Sequence, residues 1–95
     1  MDFLRILNFS EKVINKIELA NDKALIFNFI CSKENVIENI EYFRDIGIEV
    51  IELLLIYRLE LFLIEHEKIK NAFESFEVPT LVQLINEDIN AVNLL

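Results

Sequence analysis

The chain has 95 residues, 54% of them hydrophobic and 27% charged, with a formal net charge of −8. That is too apolar for a disordered chain and too charged for a membrane protein, and the length suits one domain with a modest core. A single glycine and a single proline leave little material for tight turns, which disfavours sandwiches and barrels.

In chain order, Asp2 is a candidate cap for a short helix through about Leu7. Asn8-Phe9-Ser10 breaks it, and Ser10 suits the N-cap of a helix running to about Ala20, with Val13, Ile14 and Ile17 on one face. Asn21-Asp22 interrupts, and a helix from about Lys23 to Cys31 follows. Ser32 is expected to cap the next helix, about Lys33 to Ile46, whose inward stripe is Val36, Ile37, Ile40 and Phe43. Gly47 suits its end, because glycine tolerates the left-handed conformation found there. Residues 48–57 read as a helix that is apolar nearly all round, and Leu59 to Ile64 as a short third element. A helix from about Glu65 to Phe76 comes next. Pro79 fits the first turn of the following helix, and Asp88 caps a last short one, Ile89 to Leu94.

The greasiest stretch, Ile46 to Ile64, is long enough to invite a transmembrane reading. It holds Glu49, Glu52, Arg58 and Glu60, each costing about 2.5 to 3.5 kcal/mol near a bilayer centre. No membrane association is expected. No signal peptide is visible, and the lone Cys31 allows no internal disulfide, so the expected location is a reducing, cytoplasmic one.

The second half of the chain repeats itself at an offset of about 30 positions, in the range of helical repeat units. Phe43 falls on Phe73, Ile51 on Leu81, Leu54 on Leu84, Leu55 on Ile85, Leu59 on Ile89 and Phe62 on Val92. A longer offset brings Phe9, Val13, Ile14 and Ile17 onto Ile46, Val50, Ile51 and Leu54. The expectation is an all-α, solenoid-like helical-repeat domain of about three helix–helix–short-helix units, about 1–33, 34–64 and 65–95. Val50, Leu53, Ile56 and Leu63 of the middle unit become Thr80, Gln83, Asn86 and Asn93 in the last. A terminal unit needs such a polar outer face.

The run Asn35-Val-Ile-Glu-Asn-Ile-Glu-Tyr-Phe-Arg-Asp-Ile-Gly47-Ile, then Val50-Ile-Glu-Leu-Leu, then Leu59-Glu-Leu-Phe-Leu, resembles the mitochondrial transcription termination factor repeat. The corner Ile46-Gly47-Ile48 is similar to that family's Leu-Gly-Leu/Phe corner. The resemblance implies two helices and a short third per unit, stacked into a curved superhelix, and nucleic-acid binding along a basic concave face. The chain departs from the family in two ways. It lacks the proline usual in the short third helix, and it has no basic face in the last two units.

Charge is unevenly placed. Residues 1–33 carry five basic and four acidic side chains, net +1, and residues 34–95 carry four basic and thirteen acidic ones, net −9. Glu34, Glu38, Glu41 and Asp45 lie at i, i+4, i+7 and i+11, a single stripe along one helix. Like charges at that spacing cost roughly 0.2 to 0.5 kcal/mol per pair, partly offset by Arg44. The stripe reads as a solvated face, as a docking surface for a basic partner, or as a nucleic-acid mimic. On the last reading, helical carboxylates recur every ~5.4 Å, near the spacing of phosphates.

No catalytic, metal-binding or cofactor-binding constellation stands out. His66 is the only histidine, and position 70, where a zinc-hydrolase helix needs a second, is Lys70. His66 reads as a surface residue near a helix start, and Cys31 as a small core residue at a helix end. Phe3, Leu4, Leu7 and Phe9 are the candidate self-association surface, most simply across a two-fold axis. The expected function is a non-catalytic, acidic protein-interaction module, dimeric, with a protein partner that is basic on the docking reading of the stripe. The alternatives are a nucleic-acid-mimicking inhibitor of the phage or mobile-element type, or a divergent termination-factor-like binder.

Overall fold

A computed structural model describes residues 1–95, and all of its regular structure is helical. The order is α1 (Asp2–Ile6), α2 (Glu11–Ala20), α3 (Lys23–Cys31), α4 (Lys33–Ile46), α5 (Ile51–Tyr57), a first 3₁₀ turn (Leu59–Leu63), α6 (His66–Glu74), α7 (Val78–Glu87) and a second 3₁₀ turn (Ile89–Leu94). Helix, helix and 3₁₀ turn thus follow one another twice, over 33–63 and over 66–94.

Local chemistry sets most of these boundaries. Ser10 Oγ accepts from Val13 N–H at 3.2 Å and opens α2. Asp22 Oδ1 accepts from Leu25 N–H at 2.8 Å and opens α3. Gly47, at φ +96°, closes α4 in the left-handed conformation, and Ile48 N–H returns to Phe43 C=O at 2.9 Å. Pro79 sits in the first turn of α7, and Asp88 Oδ1 accepts from Asn90 N–H at the second 3₁₀ turn.

Four local expectations need correction. Asp2 is not a cap; it lies inside α1 and pairs with Arg5, while Met1 takes the N-cap position. Ser32 ends α3 and starts α4 within one residue, and its side chain makes no capping bond. The expected helix over 48–57 begins at Ile51, because the Gly47 corner and the capture of Glu49 N–H by Asn86 Oδ1 at 2.7 Å hold 48–50 out of helix. Nor is α5 buried all round: Leu53 and Tyr57 are exposed.

The core is one apolar cluster running from Phe3 to Val92. Helix α2 packs on α5, α3 on the first 3₁₀ turn, and α4 on both that turn and α6, while α7 packs on α4, α6 and the second turn. Phe43 is the centre of an aromatic group, with ring centroids 5.4 Å from Phe62 and 5.5 Å from Phe73. The radius of gyration is 12.7 Å, close to the ~12 Å of a compact domain of this length. No helix is long and apolar enough to cross a membrane.

Candidate functional site

All four carboxylates of the expected stripe, Glu34, Glu38, Glu41 and Asp45, are exposed on α4. The structure draws three of them together. Glu38, Glu41 and Asp45 line a shallow groove of about 250 Å³ with Tyr42, His66 and Lys70. Glu34 lies apart, in a separate depression with Ile30, Cys31, Ser32, Lys33 and Asn35.

None of the four carboxylates forms an ion pair. The chain's ion pairs are Arg5 with Asp2, Arg5 with Glu11, and Arg58 with Glu60. Arg44 belongs to α4 and was expected to offset the stripe. Instead it reaches the other way. Its Nη2 donates to Leu7 C=O at 2.6 Å, and its guanidinium lies 4.8 Å from the centre of the Phe9 ring. Arg44 therefore secures the α1–α2 corner, and Lys70 is the one basic side chain lining the groove with Glu38, Glu41 and Asp45.

The His66 side of the groove is held by two asparagines that the sequence reading missed. Asn39 is the one buried polar residue, with 0% of its surface exposed. Its Nδ2 donates to Phe62 C=O at 3.1 Å and to Ile64 C=O at 2.9 Å. Those two acceptors orient the amide, so Oδ1 faces His66 Nδ1 at 3.0 Å and that ring nitrogen is the donor. Asn35, one turn earlier, donates to Ile64 C=O at 2.9 Å and accepts from His66 N–H at 2.9 Å. His66 is thus a fixed, half-buried element, edge-on to Tyr42 at 5.7 Å, and not a free surface side chain. The available signal was two asparagines at i, i+4 beside an apolar helical stripe.

Tyr42 stands between groove and core. Burial pushes its phenol above the ordinary value of 10.0, and the charge of Glu74 adds to that effect. No three His, Cys, Asp or Glu side chains converge in a way that could hold a metal ion. Cys31 is exposed, contrary to the expected core position.

The expected self-association patch is also corrected. Phe3, Leu4 and Phe9 are buried in the chain's own core, and Leu7 packs half-buried against it. Helix α1 folds inward because Phe3 stacks on Phe29, with centroids 5.5 Å apart. Of the apolar residues in this run only Ile6 stays exposed, and most other large apolar side chains that reach solvent lie in later elements. Leu19 is 87% exposed and Tyr57 is 64% exposed, and they share a groove with Lys16, Ala20, Leu53 and Ile56 between α2 and α5. Comparison with known proteins gives no match to any family model, any curated protein or any solved structure.

Proposed function

We propose that the chain is a non-catalytic, acidic protein-interaction module whose α4 face, with Glu38, Glu41 and Asp45 at its centre and Glu34 at its end, meets a partner with a basic surface. One observation carries this reading: the carboxylates are exposed and unpaired while Arg44 of the same helix is held at Leu7 and Phe9. Repulsion along α4 is a standing cost, which a basic partner would relieve. A one-signed surface also accelerates encounter with such a partner in a salt-dependent way.

The test is capture of partners by the chain and by a Glu38→Lys, Glu41→Lys, Asp45→Lys variant, with salt elution. The expected result is a partner released by salt and lost by the variant, with both chains equally helical by circular dichroism. Retention of the same partner by the variant would overturn the reading. Carboxylates spaced along a helix also suit mimicry of a nucleic-acid strand. That second reading requires the captured partner to be displaced by duplex DNA.

The paired order of helix, helix and 3₁₀ turn supports a repeat built as units 34–64 and 65–95, with 1–33 the irregular first member. A termination-factor-like role in nucleic-acid binding ranks lowest, because the net charge over 34–95 is −9. We also infer a dimer, now through Leu19, Leu53 and Tyr57, since exposed apolar surface of that kind marks contact sites. Sedimentation equilibrium of the chain and of a Leu19→Ser, Tyr57→Ser variant tests it; a wild-type monomer at high concentration would refute it.

A further inference from the structure

Helix α3 carries seven apolar residues in nine, yet Phe29 alone is fully buried. Ala24, Phe27, Ile30 and Cys31 fall within about a third of a turn of one another and face solvent together. Phe27 is 65% exposed and Ile30 41%. On α4, packed beside it, every exposed position is charged. The outward side of α3 is therefore an apolar helix face with no cover in the chain.

Charged side chains mark both ends of this face. Ile26, Phe27 and Ile30 line a groove of about 370 Å³ together with Glu18 and Lys23. Ile30 also borders the next depression, which holds Lys33 and Glu34. None of these four charged side chains forms an ion pair within the chain, and each end carries one charge of either sign. Parallel pairing of two copies along α3 would set Lys23 against Lys23 and Lys33 against Lys33. Antiparallel pairing sets the Lys33–Glu34 end of one copy on the Glu18–Lys23 end of the other, and offers each lysine a carboxylate.

We propose that the α3 face binds a second copy of the chain across a two-fold axis, α3 against α3 and antiparallel, with Phe27 at the centre. Such a contact is isologous: one self-complementary patch serves both copies. It is centred in the third of the chain with net charge +1, so two copies meet there without opposing the −9 of residues 34–95. Glu18 lines the α3 groove and Leu19 the α2–α5 groove, so the two contacts lie on different sides of the last turn of α2. The α3 contact does not rest on the one inferred at Leu19 and Tyr57, and the two together carry assembly past the dimer.

Sedimentation equilibrium of the full chain carrying Leu19→Ser and Tyr57→Ser, which removes the other contact, tests this. A dimer is expected in that background. Adding Phe27→Ser and Ile30→Ser is expected to weaken it about a hundredfold or more, the loss of two apolar side chains from each copy, with helicity by circular dichroism unchanged. Lys33→Glu is expected to weaken it about tenfold, since the pair occurs twice across the axis, and Glu18→Lys added to Lys33→Glu is expected to restore it. The charge reversals decide the matter where the serine pair loses helicity. Three results would overturn the proposal: a monomer in the starting background, which leaves the face to another kind of partner; a dimer indifferent to Phe27→Ser and Ile30→Ser; or a loss at Lys33→Glu that Glu18→Lys does not restore. Phe27→Ser and Ile30→Ser in the otherwise unchanged chain separate the two contacts: a monomer there overturns the contact at Leu19 and Tyr57 and supports this one.

Discussion

The stretches 33–63 and 66–94 share an order of elements and several of their buried positions, and differ in cover at others. Leu54 is 1% exposed, whereas Leu84, its counterpart 30 positions later, is 43% exposed. Leu59 is buried, and its counterpart Ile89 is only half-buried. The local pattern is the same; the neighbours are not. Helix α5 is covered by α2 on one side and by α4 and the first 3₁₀ turn on others, while no α2 equivalent covers α7. An apolar residue repeated at the right spacing therefore predicts a helix face, but the burial of that face depends on the next element in space.

The largest expected effect breaks this comparison directly. Leu54→Ala should cost about 2–5 kcal/mol, the range for truncating a fully buried leucine, and Leu84→Ala well under about half of that. Urea unfolding of the two variants measures the gap, and equal losses would mean that the two stretches are equally covered. Next comes Asn39→Ala. It strips donors from two carbonyls and the partner from His66, at about 2–3 kcal/mol for buried groups left unpaired. Asn86, which bonds Glu49 N–H and Gly47 C=O from α7, is more exposed, so Asn86→Ala should cost about 1 kcal/mol.

A comparable effect is expected at Gly47, where a new Cβ would meet only Val82 Cγ1 at 3.8 Å, an ordinary contact. The cost of Gly47→Ala is then that of the left-handed backbone alone, about 1 kcal/mol. The smallest effect is at Tyr42. Its phenol titrates above 10.0 in the folded chain, so the folded state holds the proton more tightly than the unfolded one. Its contribution is complete below pH 10 and is lost as pH rises through the folded value. Absorbance titration at alkaline pH should place Tyr42 above the ordinary phenol, and Glu74→Gln should lower it.

Helix ends were the most legible part of the fold, because Ser10, Gly47, Pro79 and Asp88 act on backbone groups a few residues away. The acidic stripe was legible for the same reason: i, i+4 spacing is a property of one helix. What escaped was long-range. Arg44 lies among carboxylates in sequence, yet bonds a carbonyl 37 positions away. Asn39 drew no reading from the helical pattern and is the hub of a junction 23 to 27 residues on. The N-terminal apolar run looked like a free surface because its cover, Phe29 among others, lies two helices later. Periodicity carries no information about which distant carbonyl an amide will find.

The asparagine pair at 35 and 39 has a mechanical consequence. Links between helices are ordinarily the soft points of a domain, where proteases nick first. Here the link between the first 3₁₀ turn and α6 is tied on both sides, at Phe62 and Ile64 before it and at His66 after it, by two neighbouring side chains of α4. A protease needs an extended, detached segment, and this one cannot detach without releasing both asparagines together. The joint between the two stretches becomes a splint, and limited digestion should cut elsewhere before it cuts at 64–65.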